Sequence, residues 1–303
     1  APSTFPAGGG YSGDPINWLL RYDGSNGDVS IATIDPSGEI GCEVKNTTWS
    51  TGWTSFLSYQ RGGEPYLFLQ KESAGTTRIH PLDWDGYMNS STKDSTWSSG
   101  WDTFDTWEYG GSSYLFHYKY STGLAKVSAL TSSGDTSCCS ENETWTSGWF
   151  VHIYEGAGGA DYLLRYSLST GQYRVMNLGA GIFGSEITND YWLTAAYTNF
   201  SSTFISGNPY LFAMRSSGTV DVLSISSSGV IGSVVDSVMI GSGWHNMFAA
   251  EINGVAFLFL HNQYTGAYES YELDSSGQII GLYDSGNYGI GWSAMLHFQT
   301  ETP

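Results

Sequence analysis

The chain is 303 residues long, a length that alone suggests two domains. Apolar residues make up 40%, charged residues 13% and aromatics 16%, with 39 glycines, which excludes a disordered chain and a helical bundle and fits a turn-rich β protein. Eleven Lys and Arg against 29 Asp and Glu leave a net charge of −18, which repels phosphate backbones and anionic headgroups and so disfavours nucleic acid and membrane surfaces as partners, and no apolar run approaches the ~20 residues of a membrane span.

Residues 1–16 read as a leader segment. Ala1-Pro2-Ser3-Thr4 has no initiator Met and fits a mature end left by signal-peptide removal. Sequons at Asn46, Asn89, Asn142 and Asn199 point the same way, so the expectation is a secreted, extracellular glycoprotein. Asn46, Asn89 and Asn142 are the expected glycan acceptors, whereas Asn199 falls on an inner strand.

From residue 17 to 303 the chain repeats. An aromatic-Leu-Phe segment begins at Trp18, Tyr66, Tyr114, Tyr162, Tyr210 and Phe257, with spacings of 48, 48, 48, 48 and 47. Trp-x-x-Gly-Trp marks the same period at Trp49 to Trp53, Trp97 to Trp101 and Trp145 to Trp149, and degenerates to Trp192 with Tyr197, Ile240 with Trp244 and Tyr288 with Trp292. Within one copy, apolar stretches at 53–60, 66–70 and 78–82 and a fourth ending at Trp97 are separated by Gly-Gly, Ser-Ala-Gly and Asp-Gly turns. This is the pattern of four antiparallel strands joined by hairpins, and four strands per period of this size make a β-propeller blade. The chain starts on the second strand of a copy and ends on the first strand of one, so residues 292–299 are expected to pair with 18–22 and close a single six-bladed ring without a covalent link.

The repeated Tyr-Leu-Phe and Trp-x-x-Gly-Trp pattern resembles secreted β-propeller lectins and tectonin-like propellers of fungi and bacteria, over essentially the whole chain from Trp18 onward and in repeat style rather than in a matched binding motif. The resemblance implies a six-bladed, carbohydrate-binding propeller.

Because strands alternate in direction, the Trp-x-x-Gly turns and the turns between second and third strands share one face of the disc. Most of the basic residues cluster there: Lys71 with Arg78, Lys119 with Lys126, and Arg165 with Arg174, expected near Trp97, Trp145 and Trp192 of the same copies. A sugar stacks its C–H face on an aromatic ring and accepts charge-assisted hydrogen bonds from Lys or Arg, so these nine residues are the candidate glycan contacts. The competing explanation is interblade packing for the Trp residues and solvated or ion-paired side chains for the bases. Arg215 faces Asp221 in the next copy.

The six His residues show no zinc-ligand spacing and no cofactor motif appears. His152, His245, His297, Asp102, Asp105 and Glu155 are expected to line the central channel, the basis of an alternative reading as a glycosidase or lyase. Sialidase Asp boxes and a Gly-x-Ser-x-Gly elbow are absent. Cys42 and Cys138 lie 96 residues apart, two repeats, which places them in different blades and excludes a bridge between them. Adjacent Cys138 and Cys139 either close a vicinal disulfide or remain thiols. The expected function is non-catalytic glycan binding through repeated, unequal inter-blade pockets; enzyme and protein-binding scaffold are the alternatives.

Overall fold

The computed structural model describes residues 15–61, 63–192 and 196–300, with the side chains of Cys138 and Cys139 outside the described set. The leader up to Asp14 and the Cys138–Cys139 pairing therefore lie outside the described residues. The strands run β1 (Ile16–Asp23), β2 (Asp28–Ile34), β3 (Ile40–Thr48), β4 (Ser55–Arg61), β5 (Glu64–Lys71), β6 (Thr76–Pro81), β7 (Lys93–Thr96), β8 (Thr103–Tyr109), β9 (Ser112–Lys119), β10 (Leu124–Leu130), β11 (Thr136–Thr144) and β12 (Trp149–Glu155). They continue as β13 (Asp161–Ser167), β14 (Gln172–Leu178), β15 (Phe183–Tyr191), β16 (Tyr197–Ile205), β17 (Asn208–Arg215), β18 (Thr219–Ile225), β19 (Ile231–Met239), β20 (Asn246–Ile252), β21 (Val255–His261), β22 (Ala267–Leu273), β23 (Ile279–Asn287) and β24 (Trp292–Thr300).

They form six antiparallel four-stranded sheets, each joined through consecutive strands except the first, whose order is β24-β1-β2-β3. The protein is a six-bladed β-propeller. Blade 1 is the closing blade: β24 pairs along the whole of β1, from Ile16 opposite Thr300 to Asp23 opposite Trp292, and the Trp18 indole donates to Thr300 Oγ1 at 2.8 Å. This is the non-covalent closure that the repeat phase predicts.

The second strand of each blade is covered on both sides by its neighbours, which is why Tyr66-Leu67-Phe68-Leu69 and its copies read as continuous apolar runs rather than as alternation. Six apolar clusters occupy the six blade interfaces, including Leu19 and Ile34 of blade 1 against Phe257 and Phe259 of blade 6. Outer strands such as β3 and β23 are mostly exposed. The hairpin glycines fix the Trp-x-x-Gly face. At Gly75 φ is +67°, and an added Cβ would lie 1.9 Å from the Trp97 carbonyl oxygen. Only glycine allows the approach in which Trp97 N–H donates to Gly75 O at 2.8 Å, and Gly123 does the same for Trp145.

Candidate functional site

Each blade places a cross-strand pair between its second and third strands on the Trp-x-x-Gly face: Arg21 opposite Ser30, Leu69 opposite Arg78, His117 opposite Lys126, Arg165 opposite Arg174, Ala213 opposite Asp221 and Leu260 opposite Glu269. The sheet register puts all six pairs at one height, so a single substitution changes the chemistry of one blade and no other.

The ring beneath the bases is the second Trp of the motif, which opens the inner strand of the same blade, and not the Trp expected. Lys71 Nζ and Arg78 lie 4.9 and 5.4 Å from the Trp53 ring centre; Lys119 and Lys126 lie 4.7 and 5.7 Å from Trp101; Arg174 lies 5.8 Å from Trp149. Trp53, Trp101 and Trp149 are buried, so the bases cover them. Trp97 and Trp145 instead face the blade that follows: Trp97 stands 4.9 Å from the His117 ring, and Arg165 sits 4.3 Å over Trp145. The grouping of each Trp with the bases of its own copy is thus corrected by one blade, because the fourth strand ends at the boundary and hands its Trp across it. Trp192 stacks on Tyr173 at 4.1 Å and packs into the apolar interface of blades 4 and 5, a structural position.

The bases differ in what already holds them. Lys71 donates to Ser50 Oγ and Thr51 O at 3.0 and 2.6 Å, and Lys119 to Ser98 Oγ and Ser99 O at 3.1 and 2.5 Å, so both tie down the Trp-x-x-Gly turns. Arg78 pairs with Asp94 at 3.2 Å, Arg174 and Arg165 share Glu186 at 3.2 and 3.7 Å, and Arg21 pairs with Glu43. Lys126 has no carboxylate or hydrogen-bond partner among the described residues. It borders an open cleft of about 250 Å³ lined also by Trp97, Trp101, His117, Ser128 and Ser137. Burial and the charges of Lys126 and Lys119 push His117 down to about 3, so its imidazole is neutral.

Sequence reading missed Trp53, Trp101, Trp149, Glu43, Glu186 and His117. The repeat carries a signal for His117, which lies 96 residues after Arg21 and 48 before Arg165. Glu43 and Glu186 are found only through the register that sets them opposite Ala32 and Met176.

The channel holds fewer of the expected groups. Asp102 and His245 stand one residue before their inner strands, β8 and β20, and are engaged by the hairpin between second and third strands: the Asp102 carboxylate accepts the Tyr120 backbone N–H at 3.0 Å, and the His245 ring meets Tyr264 edge-on at 4.5 Å. Asp105 and His152 do lie on neighbouring inner strands. Asp105 is pushed up to about 7 by burial and accepts Ile153 N–H at 2.8 Å; His152 is pushed down to about 4 and its Nε2 sits 3.0 Å from Ser202 Oγ. His297 stacks on Phe248 and bonds Asn17 Oδ1 at 2.9 Å. Each group is held by a structural partner, and among the described residues no three His, Cys, Asp or Glu side chains could share a metal ion. On the opposite face, Glu108, Glu155 and Asp161 line a cleft of about 420 Å³, where burial and then the charges of Glu155 and Glu108 push Asp161 up to about 6.

Asn46, Asn89 and Asn142 are exposed, whereas Asn199 lies on β16 and donates to His245 O at 3.2 Å.

No family model matches the chain, and no curated protein matches it in sequence. Solved structures do. A Bacteroides fragilis protein provisionally described as a 6-phosphogluconolactonase has a TM-score of 0.65 at 12% identity, covering 94% of this chain and 98% of that one. A Bacteroides uniformis protein of the same provisional description has a TM-score of 0.63 at 14% identity over 94% and 100%. The periplasmic gluconolactonase of Pseudomonas aeruginosa has a TM-score of 0.61 at 14% identity over 93% and 99%. The likeness is one of fold. None of the three is described as a lectin, so the lectin resemblance rests on repeat style.

Proposed function

We propose that the protein is a secreted, non-catalytic carbohydrate-binding protein that takes sugars in unequal clefts between blades on the Trp-x-x-Gly face. The observation that carries this reading is the recurrence, at one height, of an aromatic ring handed over from the preceding blade beside a base of the next: Tyr288 with Arg21, at 4.0 Å, and Trp145 with Arg165, at 4.3 Å. In both blades a carboxylate reachable from solvent, Glu43 or Glu186, stands with the guanidinium. An apolar ring, a donor and an acceptor side by side match the C–H face and hydroxyls of a pyranose. Several weak clefts on one rigid face gain avidity on a glycan surface. A glycan-array screen with a parallel turnover assay tests the reading: binding without turnover supports it, and turnover of a bound glycan overturns it. Replacing Arg78, Lys126 and Arg174 together by Ala should weaken binding in blades 2 to 4, and replacing Glu43 and Glu186 by Ala should remove the acceptor from the two clefts that carry the reading; full-strength binding in both sets of variants places the sugar elsewhere.

A second reading as a hydrolase of sugar lactones is favoured by one observation, the raised Asp161 carboxyl beside Glu155 in the cleft of the opposite face, since a carboxylic acid that keeps its proton near pH 6 can serve as a general acid. Hydrolysis of gluconolactone faster than the uncatalysed rate, lost in Asp161→Asn, would establish it in place of the lectin reading.

A further inference from the structure

We propose that the cleft of blade 3 binds an anionic sugar, with Lys126 taking its carboxylate or sulfate and Trp97 its ring face; this rests on the carbohydrate-binding reading and names the ligand class of one of its clefts.

The argument starts from charge compensation. In a protein of net charge −18, every base that shares the cross-strand position in another blade is neutralised at home. Arg78 lies in register with Asp94, and Arg174 contacts Glu186. In blade 3 the residue in register with Lys126 is Asn142, which carries no charge. The outer-strand place that holds Glu43 in blade 1 and Glu186 in blade 4 is taken by Cys139 in blade 3, opposite Ser128. The two acids left on that strand pair opposite Val127 and Ala125, so strand alternation turns them to the other face of the sheet from Lys126, where Glu143 accepts the Trp145 indole N–H at 2.6 Å and Glu141 the Phe183 backbone N–H. Lys119 adds a second positive charge close by, held by Ser98 and Ser99. The cleft therefore carries uncompensated positive charge over an aromatic wall.

A second observation at the same cleft concerns His117. It lines the cleft and is 4% exposed, its ring lies between Trp97 and Trp101 at 4.9 and 4.4 Å, and its Nε2 meets Ser128 Oγ at 3.2 Å. Its Nδ1 has no hydrogen-bond partner. A buried polar atom left unpaired costs free energy of order 1–3 kcal/mol, and a ligand hydroxyl or ring substituent that reaches it recovers this. The equivalent positions are Arg21 in blade 1 and Arg165 in blade 4, both guanidiniums with a carboxylate partner. Exchanging arginine for a neutral imidazole, with no glutamate at that register place on the outer strand, turns a charge-balanced cleft into an anion-seeking one. The cleft, at about 250 Å³, lies just below the ~300 Å³ at which pockets for drug-sized ligands begin and suits a single sugar residue.

The test is isothermal titration of the whole protein with N-acetylneuraminic acid, glucuronic acid and galactose 6-sulfate, and with galactose, mannose and fucose as neutral probes, at low and at physiological salt. The first three distinguish carboxylate from sulfate. Expected is binding of at least one anionic probe that weakens with salt and falls at least tenfold in Lys126→Ala, while the melting temperature is unchanged and neutral-sugar binding at other blades persists. If only neutral sugars bind, or if Lys126→Ala binds the anionic probe at full strength, the inference is overturned and the carbohydrate-binding reading stands. If no free sugar binds and a glycan array is also silent, both fall. Lys126→Arg, which keeps the charge, should retain the anionic ligand; its loss there along with Lys126→Ala would mean that packing rather than charge was removed.

Discussion

Blades 3 and 5 are built on the same ladder, yet one leaves its cation open and the other seals it. In blade 5 the place of Lys126 is taken by Asp221, which is fully buried. Its carboxylate accepts from Arg215 at 2.8 and 2.5 Å, from the Tyr197 hydroxyl at 2.5 Å and from Ser237 at 2.6 Å. Burial and the Asp221 charge hold the Tyr197 phenol well above its usual range. Asp221 already supplies the negative charge that a ligand anion would offer to Arg215, so blade 5 has the geometry of a structural network. The lesson is that identical repeat geometry specifies where a polar pair stands, while whether it meets a ligand depends on whether the neighbouring strands neutralise it.

The largest expected effect is on the sealed side. Asp221→Ala strips the acceptor from Arg215, Tyr197 and Ser237 at once, and breaking a buried pair of this kind costs about 3 kcal/mol. Urea denaturation should show that loss; a midpoint within error of the parent protein would mean the network carries no stability. On the open side, Lys126→Asp writes the blade 5 arrangement into blade 3. It should extinguish anionic-sugar binding, at least tenfold, while changing stability by only about 0.5 kcal/mol, as at other partly exposed sites. Retained binding would separate the two blades by something other than charge.

Acid titration sharpens the contrast further. His117, His152, His261 and His297 are pushed by burial to between about 3 and about 4. Unfolded, they take up protons near 6.5, so between pH 4 and 6 the unfolded chain binds more protons and stability rises with pH. Asp105 and Asp161, pushed up to about 7 and about 6, act in the opposite sense, because the folded state keeps protons that the unfolded carboxylates have released. The four histidines outnumber the two carboxyls, so the net slope is positive across that window. Blade 5 has Ala213 where blade 3 has His117, so His117→Phe should flatten the slope; an unchanged slope would show that His117 titrates normally.

The smallest effect concerns glycans. Expressed in a eukaryotic secretory host, the protein should carry glycan at Asn46, Asn89 and Asn142 and none at Asn199, as read by intact-glycopeptide mass spectrometry. Glycan at Asn142, in register with Lys126, should weaken ligand binding in blade 3 without altering the melting temperature. An occupied Asn199 beside a bare Asn46 would contradict the strand order.

Blade number, strand count and ring closure were legible in the chain because a 48-residue period with glycine at every hairpin admits one strand order, and because starting at the second strand leaves β24 only β1 to pair with. The site was half legible. Lys71, Arg78, Lys119, Lys126, Arg165 and Arg174 could be placed on one face from strand direction alone, and Asn199 on an inner strand. Their partners could not, since a Trp at a repeat boundary belongs in sequence to one copy and in space to the next, and no periodicity states which of 29 acids will neutralise which base.

What the amino-acid sequence determined by itself was therefore the scaffold, because turn chemistry and apolar periodicity are local and repeat six times over. What only the tertiary structure decided was which base is left without a carboxylate partner among the described residues. Lys126 and Arg78 are the same kind of residue at the same repeat position, and they differ because Asn142 lies in register with one and Asp94 with the other, a cross-strand relation set by hydrogen-bond register. Charge compensation acts across a few ångströms of space between strands that are far apart in the chain, so it enters only once the sheet has formed.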